Sequence, residues 1–216
     1  RLVPCRVTNS ILVDTPVSNP KLSTALRHAV DTGCRVVNIS MGNPLLGDSD
    51  TGRGVDLAYE AGVIVVAAAG NITGEVTFPG RYSRTITAGG VTPTLRPWRG
   101  GSCGPRVDVC GPATEVFRAD WNRRTAPPSV VYGHRNGSGT SYATAFVSGL
   151  AALWTAWWGD ELDRIYDEPW QRIEAFRLCL RDSAGVPAGV GLTWKEESHG
   201  TGVVDAGQLL QSPLPR

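Results

Sequence analysis

A charge imbalance is the first thing missing from this sequence. Its 21 Lys and Arg face 20 Asp and Glu, a formal charge of +1. No basic surface for nucleic acid and no polybasic patch for an anionic membrane is implied. Long hydrophobic runs are missing too. A bilayer span needs about 18 consecutive apolar residues, and the longest run, around Val147 to Trp158, has the length of a core helix. No charged-then-apolar leader opens the chain. It starts on Arg1-Leu2-Val3-Pro4-Cys5-Arg6-Val7, which reads as a strand already under way and so as a start inside a domain. Phosphate-loop chemistry has no carrier, because Gly42 to Gly54 lacks a Gly-Lys-Ser/Thr ending. The five cysteines fit no zinc spacing and leave at least one unpaired. Cys103 and Cys110, the one close pair, allow a local disulfide; buried free thiols are the expectation. Repeats and low-complexity segments are absent as well.

What is present suits a loop-rich enzyme. The chain has 216 residues, 41% hydrophobic, with 26 Gly and 15 Pro. That is enough for a full core, expected as one domain over residues 1–216. Leu2 to Val7 predicts a strand. Asn19-Pro20 opens a helix with Leu22, Ala25, Leu26, Ala29 and Val30 on one face, ended by Gly33. Arg35 to Ser40 is a β-branched strand, followed by a loop over Gly42 to Gly54 and a helix over Val55 to Ala61. Val63 to Ala69 is apolar throughout, the mark of a strand covered on both faces. Thr85 to Val91 adds another. This βαβ series predicts an open parallel sheet with helices on its faces and ligands at the carboxyl ends of the strands. Pro93 to Tyr132 reads as short β pieces and turns, and Gly133 to Gly139 as a turn. A buried helix follows over Leu150 to Trp158, then a more exposed amphipathic one over Pro169 to Arg181. The tail, His199 to Ala206, reads as a turn, a short strand and a closing helix.

The chain is organised around Gly139-Thr140-Ser141-Tyr142-Ala143, where a glycine-bounded turn runs into the buried helix. A helix N-terminus offers free N–H groups and partial positive charge, which stabilise negative charge developing beside Ser141. Small neighbours leave the hydroxyl approachable. The same residues also make an ordinary helix cap, so two readings stand. Gly70-Asn71, after the apolar strand, lies where ligands gather in such a sheet, and Asn there is also an ordinary turn residue. Ser40 and Met41, at the end of their strand, are either packing or a binding edge.

The segments together resemble the subtilisin-like serine peptidases, the subtilases. Gly139 to Ala143 looks like the nucleophile segment, and Val36 to Gly42 like the substrate-binding strand. Gly62 to Asn71 resembles the strand that delivers the oxyanion asparagine. Phe78 to Tyr82, Val107 to Pro112 and Gly200 to Ala206 fit the family in order, so that the likeness runs from about Leu2 to about Leu209. The resemblance implies a three-layer α/β/α fold with a mainly parallel central sheet, here without its N-terminal strands and helix. It implies a serine endopeptidase in which Ser141 attacks the peptide carbonyl. Asn71 and the backbone N–H of Ser141 would then hold the oxyanion. Ser40, Met41 and Gly42 would pair with an extended peptide or protein substrate, Ala69 and Gly70 would leave room for its side chain, and Thr140 would stand in the same substrate-facing group as a structural neighbour. No cofactor is evident in the residues; calcium and an extracellular location come from the resemblance only.

The departures are as informative. The family's catalytic Asp and its His-Gly-Thr segment have no counterpart here. Of the three histidines, His28 lies within the first helix, His134 in a loop and His199 in the C-terminal turn. The expectation is that Asp and His lie outside this chain, which by itself is inactive and poorly soluble. Ala145 stands where the family has proline, and Phe146 where histidine is common. Two rivals remain: a peptide-binding pseudopeptidase, and a non-enzymatic interaction module built on the Trp154 to Trp158 helix end.

Overall fold

A computed structural model describes residues 1–8, 19–44, 49–71, 73–122 and 131–216. Four parallel strands form its main sheet in the order β1 (Val36–Ile39), β2 (Ile64–Ala68), β3 (Ile86–Val91) and β4 (Val109–Pro112). The registers are Val36↔Ile64, Val66↔Ile86 and Ala88↔Val109. All of β2 is buried, and its alternation shows why. Val63 and Val65 point into one apolar cluster while Ile64 and Val66 point into another.

The first cluster lies under α1 (Asn19–Asp31) and α2 (Ser49–Glu60), where Leu22, Leu26, Val55 and Ala58 meet Ile39 and Val65. Gly33, at φ +70°, ends α1 with the Cys34 N–H donating to the Ala29 carbonyl at 2.9 Å. The second cluster lies under α3 (Thr140–Trp158) and α5 (Pro169–Ser183). Val147, Ala151 and Trp154 of α3 are fully buried, and the Trp154 ring meets Phe176 at 5.3 Å. Helices therefore cover both faces of a parallel sheet, as the βαβ pattern predicts.

Several expectations need correction. Leu2 to Val7 forms no strand; Leu2 is 95% exposed. A strand is held by a ladder partner, and none of the described strands runs beside this segment. The helix expected from Val55 begins at Ser49. Gly54 is admitted inside it because α1 crosses closely, a Cβ there lying 3.0 Å from Leu26 Cδ1. The turn expected at Gly133 to Gly139 is instead β6 (Val131–Gly137), antiparallel to β5 (Val116–Asn122) in a two-stranded sheet. A short helix α4 (Asp160–Ile165) was unsignalled. Part of the loop expected over Gly42 to Gly54 lies outside the described residues. The tail follows its pattern: Val203 bridges Cys110 and Gly185, and Asp205 caps α7 (Ala206–Gln211), accepting from the Gln208 N–H at 3.0 Å. All five thiols are free, with Cys110 and Cys179 buried.

One face of α3 is left exposed by the described residues. Phe146, Leu153 and Trp157 are 48%, 55% and 66% exposed, and Ala145, Gly149, Ala152 and Ala156 continue the same apolar strip. Such a patch favours association. Trp157→Glu is expected to lower dye binding by hydrophobic probes and raise the soluble yield of residues 1–216. Unchanged dye fluorescence would mean the strip is covered in solution.

Candidate active site

The carboxyl ends of β1 and β2 meet the N-terminus of α3. Ser40 follows β1, Asn71 follows β2 by way of Gly70, and Ser141 is the second residue of α3. The helix is capped by the backbone of Gly139, with no side-chain cap bond. Ser141 Oγ instead donates to the Ser40 carbonyl at 3.0 Å, and Ser40 Oγ donates to the Ser141 carbonyl at 3.0 Å. This reciprocal pair ties the end of the sheet-edge strand β1 to the first turn of α3.

Asn71 is held by one end. Its Oδ1 accepts the Thr140 backbone N–H at 2.9 Å and lies 3.1 Å from Thr140 Oγ1. A backbone N–H can only donate, so the amide orientation is determined: oxygen inward, the NH₂ group on the other side. Thr140 is fully buried; its Oγ1 accepts the Gly70 N–H at 3.1 Å and stands 3.1 Å from the Gly70 carbonyl. The left-handed conformation at this turn belongs to Gly70, at φ +106°, not to Asn71. Asn71 itself is exposed and bridges Gly101.

The expected site residues thus fall into two groups. Ser40, Gly70, Asn71, Thr140 and Ser141 form one hydrogen-bonded constellation. Met41 is half-buried against the α1/α2 cluster, and Ala69 is fully buried. Gly42 and Gly70 both abut Thr77. Sequence reasoning missed Asn38 and Ser148: Ser148 Oγ donates to Asn38 Oδ1 at 3.0 Å, and Asn38 Nδ2 donates to Ser40 Oγ at 3.0 Å. The signal was a lone amide inside an otherwise apolar strand.

Each histidine is engaged elsewhere. His28 lies near the exposed end of α1. His134 is in β6, not a loop, and stacks on Phe117 at 4.8 Å. His199 ends the short helix α6 (Glu196–His199), where its Nδ1 accepts the Lys195 N–H at 3.1 Å and burial lowers its pKa. Burial raises the Cys110 thiol to about 12, which keeps it protonated and unreactive. Among the described residues no group of three or more His, Cys, Asp or Glu could hold a metal ion, and no helix is long and apolar enough to cross a membrane.

The sequence model of the Subtilase family matches residues 2–166. This chain belongs to the subtilase family. It is 34% identical over 130 residues to subtilisin E of Bacillus subtilis (strain 168), covering 58% of this chain and 32% of that relative. With alkaline elastase YaB of Bacillus sp. (strain YaB) it shares 31% over 133 residues, or 61% of this subtilase and 32% of the other. The chain therefore spans about a third of the length of these curated relatives. Its fold matches the prenylagaramide maturation protease PagA with a TM-score of 0.73 at 21% identity, over 97% of this chain and 71% of that one. Fervidolysin from Fervidobacterium pennivorans matches with a TM-score of 0.73 at 22% identity, over 92% and 30%.

Proposed function

We propose that this subtilase chain carries the nucleophile and the oxyanion hole of a serine endopeptidase, with the Asp and His of the triad lying outside its 216 residues. The observation that supports the reading best is the amide of Asn71, turned by the Thr140 N–H so that its NH₂ group lies on the other side, with no hydrogen-bond partner among the described residues. In this reading Ser141 Oγ leaves the Ser40 carbonyl and attacks a substrate carbonyl as an imidazole takes its proton. The oxyanion receives Asn71 Nδ2 and the Ser141 N–H, one of the donors that helix geometry leaves unpaired. An extended peptide or protein substrate adds along Ser40 to Gly42, and main-chain hydrogen bonds hold it there. Thr140 is a positioning residue: it orients Asn71 and Gly70 without touching the reacting atoms.

The test is hydrolysis by the full-length protein. Asn71→Ala is expected to lower kcat by about 10²–10³, the size of this effect in subtilisin, with KM nearly unchanged. Equal activity of the two proteins would remove the oxyanion role. A second reading, a peptide-binding pseudopeptidase, is favoured by one observation: the Ser141 hydroxyl donates to the Ser40 carbonyl, and among the described residues no histidine is hydrogen-bonded to it. Peptide binding without turnover by the full-length protein would select it.

A further inference from the structure

The chain after β3 makes two successive turns and presents an arginine from each to one cavity. In the first turn the Leu95 N–H donates to the Thr92 carbonyl at 2.8 Å and the Thr92 N–H to the Arg96 carbonyl at 2.9 Å. In the second the Trp98 N–H donates to the Gly90 carbonyl at 2.8 Å, and the Gly101 N–H closes the turn on the Trp98 carbonyl at 3.0 Å. Arg96 and Arg99 line a cavity of about 940 Å³ at the carboxyl end of β3, whose other walls include Glu115 and, from the C-terminal segment, Thr193, Ser198 and His199. Ser40, Asn71 and Ser141 do not line it. It shares a wall with their site, because Gly101 bridges Asn71 and the Ser102 N–H donates to the Gly70 carbonyl at 2.9 Å.

Among the described residues neither guanidinium group has an ion pair or a hydrogen bond. Glu115 is the one carboxylate in the lining, and no ion pair joins it to either arginine. Burial lowers the pKa of His199, so at neutral pH the lining keeps a surplus of one positive charge. Leu95 and Glu115, at φ +60° and +56°, are the two non-glycine residues of positive φ among the described residues. Glu115 lines the cavity, and Leu95 stands between the lining residues Thr94 and Arg96. Such backbone persists only where its surroundings hold it, and it gathers at ligand sites. The Trp98 ring lies over Gly100, where a Cβ would stand 2.5 Å from its Cζ2, and is thereby held against the turn that carries Arg99.

We propose that this cavity is a second peptide-binding site, separate from the Ser141 constellation, and that it takes an acidic segment of a peptide chain. Carboxylates of the segment meet Arg96 and Arg99, whose guanidinium forks match a carboxylate with two parallel hydrogen bonds. An apolar side chain next to them packs on Trp98. The turns fix both arginine backbones before any ligand arrives, so binding orders only the side chains. The volume is at the upper end of the range for small-ligand sites, which suits a short stretch of chain. A nucleic acid fits poorly, because it needs several phosphate contacts and Glu115 lies in the same lining. A pseudopeptidase would keep such a site, so its existence does not depend on the peptidase reading.

The experiment follows the fluorescence anisotropy of a labelled Gly-Glu-Glu-Phe-Gly peptide added to full-length Ser141→Ala protein, which lacks the proposed nucleophile. The Gln counterpart, Gly-Gln-Gln-Phe-Gly, is expected to bind at least about tenfold more weakly, and the acidic peptide to lose as much on Arg96→Ala with Arg99→Ala. Both arginines are exposed, so the double variant is expected to fold, which circular dichroism verifies. With Ser141 in place, the double variant is expected to treat a neutral alanine peptide as the native protein does. An excess of that neutral peptide is expected to leave the acidic one bound. Preferential binding of the acidic peptide upholds the site even if no protein cleaves, so its fate and that of the peptidase reading are read separately. Equal binding of the acidic and Gln peptides, unchanged binding to the double variant, displacement by the neutral peptide, or inorganic phosphate binding as tightly as the acidic peptide would overturn it.

Discussion

Ser141→Ala is expected to abolish fluorophosphonate labelling of the full-length protein and to lower peptide hydrolysis on the order of a millionfold, the size of the same loss in subtilisin. That corresponds to about 8 kcal/mol of transition-state stabilisation. The effect is large because nothing else at the site can replace the hydroxyl. Ser40 Oγ faces the Ser141 carbonyl, and Cys110 is a buried, protonated thiol that donates to the His199 carbonyl at 3.2 Å. Residues 1–216 by themselves are expected to stay unlabelled. A serine hydroxyl is a weak nucleophile without a base to take its proton, and here it donates to the Ser40 carbonyl. Labelling of the isolated 216-residue chain would show that a base lies within it and would overturn an external Asp and His.

The largest expected effect on stability comes from the buried ion pair between Asp108, just before β4, and Arg177 of α5. Arg177 Nη1 meets Asp108 Oδ1 at 2.9 Å, with the two side chains 13% and 7% exposed. Arg177 also donates to the Thr85 and Ser83 carbonyls at 3.0 Å each and to Glu174 Oε2 at 3.2 Å. Asp108 Oδ2 accepts the Thr87 N–H at 2.8 Å. Burial opposes the charge of Arg177, but Asp108 and Glu174 outweigh it and hold the guanidinium above its ordinary range. Asp108→Ala strands that charge and the Thr87 N–H together, at a cost of about 3–5 kcal/mol. Urea unfolding of native and variant proteins measures it. A loss below about 1 kcal/mol would mean that Glu174 and the two carbonyls suffice for Arg177. Replacing both partners, as Asp108→Leu with Arg177→Met, is expected to be far milder, because no charge is left buried without its counterion.

How much was legible follows from the range of each interaction. Leu22, Leu26 and Ala29 announced α1 because helical period is local, and the apolar run of β2 announced a strand covered on both faces. The turn expected at Gly133 to Gly139 failed for the opposite reason. Gly133 and Gly137 sit in a strand because β5 pairs with them, and pairing between strands leaves no mark in the β6 residues alone. Leu2 to Val7 failed likewise: its alternation is that of a strand, but a strand exists only beside a partner.

The sequence by itself determined the βαβ order, the apolar helix behind Ser141 and the family, since these rest on local pattern and on motifs in order; that one face of that helix is exposed was not legible. Only the tertiary structure decided how the residues at the site engage one another. It turned the Asn71 amide by a hydrogen bond from Thr140 and paired Ser141 with Ser40. Each of those contacts joins residues far apart in the chain, and their distances are decided by how β1, β2 and α3 pack, which no local pattern encodes.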